Sequence, residues 1–234
     1  MSSVTESIRR QLFALAEEGY KSYTARLVPT VDAGSVIGVR MPHLRQMAKD
    51  LHGTTEADVF LTLLPHKYYE ENNLHALLIS LQRSPERICS LLDEFLPLVD
   101  NWATCDAISP KVFSRRPEGL LKRLRGWMNS GDTYTARFAI GMLRSYYMRA
   151  GFSPEHPQWV LEVERGDYYV DMMVAWYFST AMAKRYDDVI GYIENRSLDP
   201  WTQSKAIQKA LDSSGVSVTH KDYLRTIRTE KFDE

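Results

Sequence analysis

An all-α chain, built as a solenoid of helical repeats, is predicted by three observations. A motif of a charged residue, any residue and an aromatic recurs at Lys67-Tyr68-Tyr69, Asp100-Asn101-Trp102, Asp132-Thr133-Tyr134, Asp167-Tyr168-Tyr169 and Asp199-Pro200-Trp201. Its starts lie 33, 32, 35 and 32 residues apart, and fixed periods of this length mark repeat architectures in which each unit buries its apolar face on the next. Strand signals are almost absent, with no sustained period-two runs and no Asn-Gly hairpin turns.

The elements follow in order. Ser3-Val4-Thr5-Glu6 has capping-box spacing, and an amphipathic run after it reaches Gly19, which is read as the stop of a first helix. Lys21 to Arg26 suits the start of a second, but Pro29, Asp32 and Gly34 interrupt it, so 27–39 reads as loop. Pro42 fits the first turn of a helix to about Leu51, with Gly53 just beyond.

From residue 67 each motif opens a helix of roughly fifteen residues, with an N-cap aspartate in all but the first. A second, shorter helical pattern completes most units, beginning near Ser84-Pro85-Glu86, Arg116-Pro117-Glu118, Ser153-Pro154-Glu155, Tyr186-Asp187-Asp188 and Ser217-Val218-Thr219. Apolar runs such as Leu74-His75-Ala76-Leu77-Leu78-Ile79 supply faces for stacking. Tetratricopeptide and ankyrin consensus residues are missing, so the repeats read as HEAT-like. One domain over 1–234 is expected, curved, with the motif-led helices lining a concave face.

Composition is that of an ordinary globular protein, with 44% hydrophobic and 25% charged residues. No apolar run approaches the ~18 residues of a membrane span, and Met1-Ser2-Ser3-Val4-Thr5-Glu6 is not a signal peptide. Cys89 and Cys105 form neither a disulfide framework nor a metal spacing. A cytoplasmic monomer with no membrane partner is expected.

The net charge of −1 hides an asymmetry. Residues 54–100 carry eight acidic and three basic side chains, whereas 110–151 carry nine basic ones against Glu118 and Asp132. The basic block is either the footprint of a polyanion or a set of solvated helix faces.

Several chemistries lack their motifs. There is no phosphate-binding loop, no Gly-x-Gly-x-x-Gly turn and no Gly-x-Ser-x-Gly elbow. The six histidines are scattered without metal-ligand spacing, and Cys105 has no evident histidine partner. No cofactor or metal is expected.

Four residues depart from what packing alone requires. Trp102 and Asp106 are four apart, hence stacked on one helical face. Arg137 interrupts Ala136-Arg137-Phe138-Ala139-Ile140, and Trp176 interrupts Val174-Ala175-Trp176-Tyr177-Phe178. Each also has a packing explanation: core indoles for Trp102 and Trp176, a carboxylate bonded to a neighbouring helix start for Asp106, and a salt-bridge partner for Arg137.

Four stretches carry a resemblance. Val36-Ile37-Gly38-Val39-Arg40-Met41-Pro42-His43-Leu44-Arg45, Val99-Asp100-Asn101-Trp102-Ala103-Thr104-Cys105-Asp106, Ala136-Arg137-Phe138-Ala139 and Tyr169-Val170-Asp171-Met172-Met173-Val174-Ala175-Trp176 resemble, in register, the DNA alkylation repair family. This is the AlkD-type group of HEAT-like-repeat DNA glycosylases. The resemblance implies hydrolysis of the N-glycosidic bond of cationic N3- or N7-alkylpurines in double-stranded DNA, without flipping the base. It implies Asp106 as the catalytic carboxylate, Trp102 and Trp176 as indoles beside the lesion's sugar, and Arg137 as a DNA-backbone contact. At Ala25-Arg26-Leu27-Val28-Pro29 the chain has leucine where a groove-entering tyrosine stands, and resembles a subgroup in which that helix is a loop. The alternatives are a weak or inactive paralogue that binds DNA, and a protein-interaction scaffold.

Overall fold

The computed structural model describes residues 3–229, so residues 1–2 and 230–234 of the expected 1–234 domain lie outside the described residues. Every helix and turn among the described residues fits an all-α fold, and no strand occurs among them. No helix among them is long and apolar enough to cross a membrane. The chain divides into two compact units, Met1–Pro117 and Glu118–Glu234. Each is built around one helix that is buried on nearly all sides.

The first unit contains α1 (Ser3–Ala14), α2 (Glu18–Leu27), α3 (Met41–Leu51), α4 (Thr55–Phe60), α5 (Tyr69–Leu81), α6 (Pro85–Phe95) and α7 (Trp102–Ala107). The first helix, expected to reach Gly19, ends at Ala14, and the second, expected from Lys21, already begins at Glu18, so Gly19 lies inside it. A distant loop explains the break: the Glu17 N–H donates to Gly38 O at 3.0 Å instead of to its own helix. Ser3 is already helical, so it is not the N-cap of α1. Pro42 sits in the first turn of α3, as expected, and Gly53 follows with φ of 85°.

At the centre of this unit, α5 packs on α3, α6 and α7. It buries Leu74, Ala76, Leu78 and Ile79, but also Glu70, Glu71, Asn73 and His75. Burying polar groups is costly unless each is hydrogen-bonded, and the carboxylates are. Glu71 accepts from the Arg9 guanidinium at 2.8 and 3.2 Å and from the N–H groups of Lys67 and Tyr68. His75 Nδ1 meets His66 Nε2 at 2.8 Å, and Phe60 and Phe95 stack on the outer faces of this pair. Burial pushes the His66 pKa down to about 4 and the His75 pKa well below its ordinary value, so both rings are neutral at pH 7.

The second unit contains α8 (Leu120–Met128), α9 (Thr133–Tyr146), α10 (Glu155–Leu161), α11 (Tyr168–Lys184), α12 (Tyr186–Glu194), α13 (Pro200–Asp212) and α14 (Val218–Thr229). Here α11 is central, packing on α9, α10, α12 and α13. Its run of Val170, Met173, Val174, Ala175, Tyr177, Phe178, Ala181 and Met182 is buried, as a helix with neighbours all round requires.

The expected N-caps form at Asp132, Asp167 and Asp199, whose carboxylates accept from Thr135, Tyr169 and Thr202 N–H respectively. The expectation fails at Asp100. There the cap is Asn101, whose Oδ1 accepts from Thr104 N–H at 2.8 Å. The helix that follows has six residues rather than about fifteen. Pro110 accounts for the early stop, because a proline disfavours helical geometry in the residue before it.

Candidate functional site

In the first unit, α7 carries Trp102 at its first position and Asp106 one turn later. Two features fix this short helix. Thr104 Oγ1 bridges the Asn101 cap to Asn73 of α5, at 3.0 and 2.9 Å, tying the start of α7 to the buried central helix. At the other end, Ser109 N–H donates to Ser80 Oγ of α5 at 2.9 Å.

Trp102 is half-buried and packs against Val28, Val31, Val36 and Tyr69. Its indole N–H donates to Leu27 O, the last residue of α2, at 3.0 Å. Asp106 is exposed. The pair therefore offers an oriented ring edge and, one turn on, an exposed acidic residue. Such an arrangement can place negative charge against a cation held at the indole.

The segment beneath the indole is itself pinned, by Glu70. Its carboxylate accepts three backbone N–H groups, from Ile37 at 2.8 Å, Gly38 at 2.6 Å and Val39 at 3.2 Å. Gly38 has φ of 101°, and a Cβ there would come 2.7 Å from Glu17 O and 2.8 Å from Lys21 Cβ. Only glycine tolerates both conditions. Sequence reasoning missed Glu70 and Glu71; the available signal was a pair of carboxylates in the first turn of a helix that is mostly apolar from Leu74 on.

In the second unit, Arg137 and Trp176 occupy adjacent helices. Arg137 is only 4% exposed, and its Nη1 donates to Tyr169 O of α11 at 2.8 Å. Seven residues, or two turns, further along α9, the Arg144 guanidinium lies 4.7 Å from the centre of the Trp176 ring. Trp176 stands seven residues beyond Tyr169. The seam between α9 and α11 thus has two arginine rungs, the first buried and the second half-buried.

Trp176 is 37% exposed, and Lys209 of α13 also reaches its ring, at 5.1 Å. The ring lines an open groove of about 600 Å³ with Arg149, Lys184 and Lys209, where Asp212 is the lining carboxylate. Burial, with Arg149 and Arg144 nearby, lowers the Lys184 pKa. This is an electropositive aromatic surface, suited to anions.

The four expected residues thus stand as two pairs, one in each unit. The residues of the basic block at 110–151 are divided between the two units. Arg137 is buried, Arg144 and Arg149 flank Trp176 and its groove, Arg125 lies over Trp159, and Lys111 and Arg115 belong to the first unit.

Among known proteins, a family model described as DNA alkylation repair enzyme matches residues 8–210, most of the chain. No curated protein matches it.

Proposed function

This chain belongs to the DNA alkylation repair enzyme family, and from that premise we propose that it is a DNA glycosylase releasing cationic N3- or N7-alkylpurines from double-stranded DNA. The observation that carries the reading is the exposed Asp106 carboxylate, one helical turn from an indole held by a backbone carbonyl.

An N-alkylated purine already bears the positive charge that makes it a leaving group, so no acid is needed to protonate it. As the C1′–N bond breaks, its electron pair goes to the base and positive charge grows on the sugar. Asp106 stabilises that charge and orients the water that attacks C1′, whose proton passes to the carboxylate or to solvent. Trp102 and Trp176 contact the lesion's sugar, Trp102 with an attraction that strengthens as the sugar becomes cationic, and Trp176 from beside a groove whose Arg149, Lys184 and Lys209 suit the adjoining phosphate. A site at the surface suits a lesion processed while still stacked, with the protein meeting the backbone rather than enclosing the base. The two units act together as one HEAT-like repeat domain, and the chain works as a monomer without a cofactor.

Arg137 meets the phosphate backbone in this reading, at the α9–α11 seam. Its burial and its bond to Tyr169 O favour a second reading, in which the arginine only holds the two helices together and the protein binds DNA without excision. Release of 7-methylguanine from methylated duplex separates the two. Release above the spontaneous rate supports the glycosylase, and release at the spontaneous rate with retained DNA binding supports the second reading.

A further inference from the structure

A groove of about 690 Å³ in the first unit is bordered by Arg45 and Lys49 of α3, Arg83 beyond the end of α5, and Lys111 and Arg115. No carboxylate lines it among the described residues. All five cations are exposed, and among the described residues none has an ion-pair partner. Three other arginines of this unit are paired: Arg9 with Glu71, Arg40 with Glu17, and Arg87 with Asp58. Three separate stretches of chain bring five like charges to one concavity without a counter-charge from the protein. Mutual repulsion makes that arrangement unfavourable by itself, and an external polyanion reverses the sign.

The floor is apolar, from Ala48, Leu77 and Leu81. Ser109 also lines the groove, three residues after Asp106, so the two are separated by at most about 11 Å of chain. We propose that this groove binds the phosphodiester backbone of a nucleic-acid duplex, as a sequence-independent track running on from the exposed end of α7. The inference rests on the DNA-directed reading of the previous subsection but assigns residues outside its four. The cations meet phosphates, and the apolar floor meets sugars; neither reads bases.

The test is the salt dependence of binding of the full chain to an undamaged, fluorescently labelled duplex. Each phosphate contact that is lost makes the slope of log K against log salt shallower by about one. The double variant Lys49→Gln, Arg83→Gln is expected to be shallower by about two, with an unchanged melting temperature. A control with the same charge change elsewhere, Arg10→Gln with Lys122→Gln, keeps the wild-type slope. Equal slopes for wild type and groove variant overturn the proposal and leave the glycosylase reading standing, as does a control that flattens as much as the groove variant. No duplex binding by the wild type at low salt overturns both. Base release unaffected by Asp106→Asn, in contrast, removes the catalytic reading and leaves the groove in place.

Discussion

The indole N–H of Trp102 is spent on Leu27 O, 75 residues away in sequence and 3.0 Å away in space. That bond joins the candidate site to the end of α2, where the chain has leucine and a following loop rather than a helix that continues. The loop residues Val28, Val31 and Val36 are the surface on which the indole rests. Orientation of Trp102 and conformation of this segment are therefore one problem.

Trp102→Phe keeps most of the buried ring and removes the donor. Leaving Leu27 O without its partner is expected to cost about 1 kcal/mol, whereas Trp102→Ala, which also removes the packing, costs about 2–3 kcal/mol. Urea titration gives both values. Faster amide exchange at Val31 and Val36 in Trp102→Phe locates the loosening.

Glu70 and Gly38 form the second support. Glu70→Gln replaces a carboxylate that accepts three N–H groups by an amide with one acceptor oxygen and an NH₂ facing donors. A loss of about 2–4 kcal/mol is expected. Gly38→Ala combines a close approach to Glu17 O and Lys21 Cβ with a left-handed φ, and a comparable or larger loss follows. Denaturant unfolding of each variant checks both, and a change under 1 kcal/mol in either contradicts the account.

These supports explain what was legible in sequence and what was not. Asp132, Asp167 and Asp199 could be read as caps because the bonds are local, made to amides two or three residues on. At Asp100-Asn101 two capping residues are adjacent, and the choice is made by Thr104 and Asn73, the latter on another helix. The break between α1 and α2 is invisible in 3–19 because its cause is Gly38. Trp102 and Asp106 were legible as one turn of one helix. The burial of Arg137 was not, since it donates to a backbone carbonyl of α11 that no side-chain pattern marks.

The neutral His66–His75 pair makes stability depend on pH. Both folded-state pKa values lie below the ordinary 6.5, with His66 at about 4, because burial disfavours the charged ring. Arg9 pushes His66 further down and Glu71 opposes this. The unfolded chain therefore binds more protons below pH 6.5. The pair's contribution is complete above that pH and is lost as pH falls toward 4, by up to about 1.4 kcal/mol per pH unit for each histidine. Urea midpoints from pH 7 to pH 4.5 should fall, and the His66 ring resonances should titrate near pH 4. A His66 midpoint near 6.5 contradicts the account.

Trp176 separates function from stability. Its ring is 37% exposed and flanked by Arg144 and Lys209, so Trp176→Ala should cost about 1 kcal/mol or less in folding. Excision of an alkylpurine, if the indole contacts the sugar, falls at least tenfold, about 1.4 kcal/mol in the barrier. Single-turnover release and thermal melting on one preparation give both numbers. Equal release by both proteins removes Trp176 from the site.

The central claim is that Asp106 stabilises a cationic sugar, and one comparison tests it most directly. Single-turnover release of 7-methylguanine from a methylated duplex is measured for wild type and Asp106→Asn, beside the spontaneous rate. Thermal melting of Asp106→Asn on the same preparation reports any folding cost separately from the change in rate. The account predicts release by the wild type at least a hundredfold faster than by Asp106→Asn, a difference of about 2.7 kcal/mol in the barrier, with duplex affinity unchanged. Equal rates for the two proteins, or a wild-type rate no faster than the spontaneous one, would contradict it.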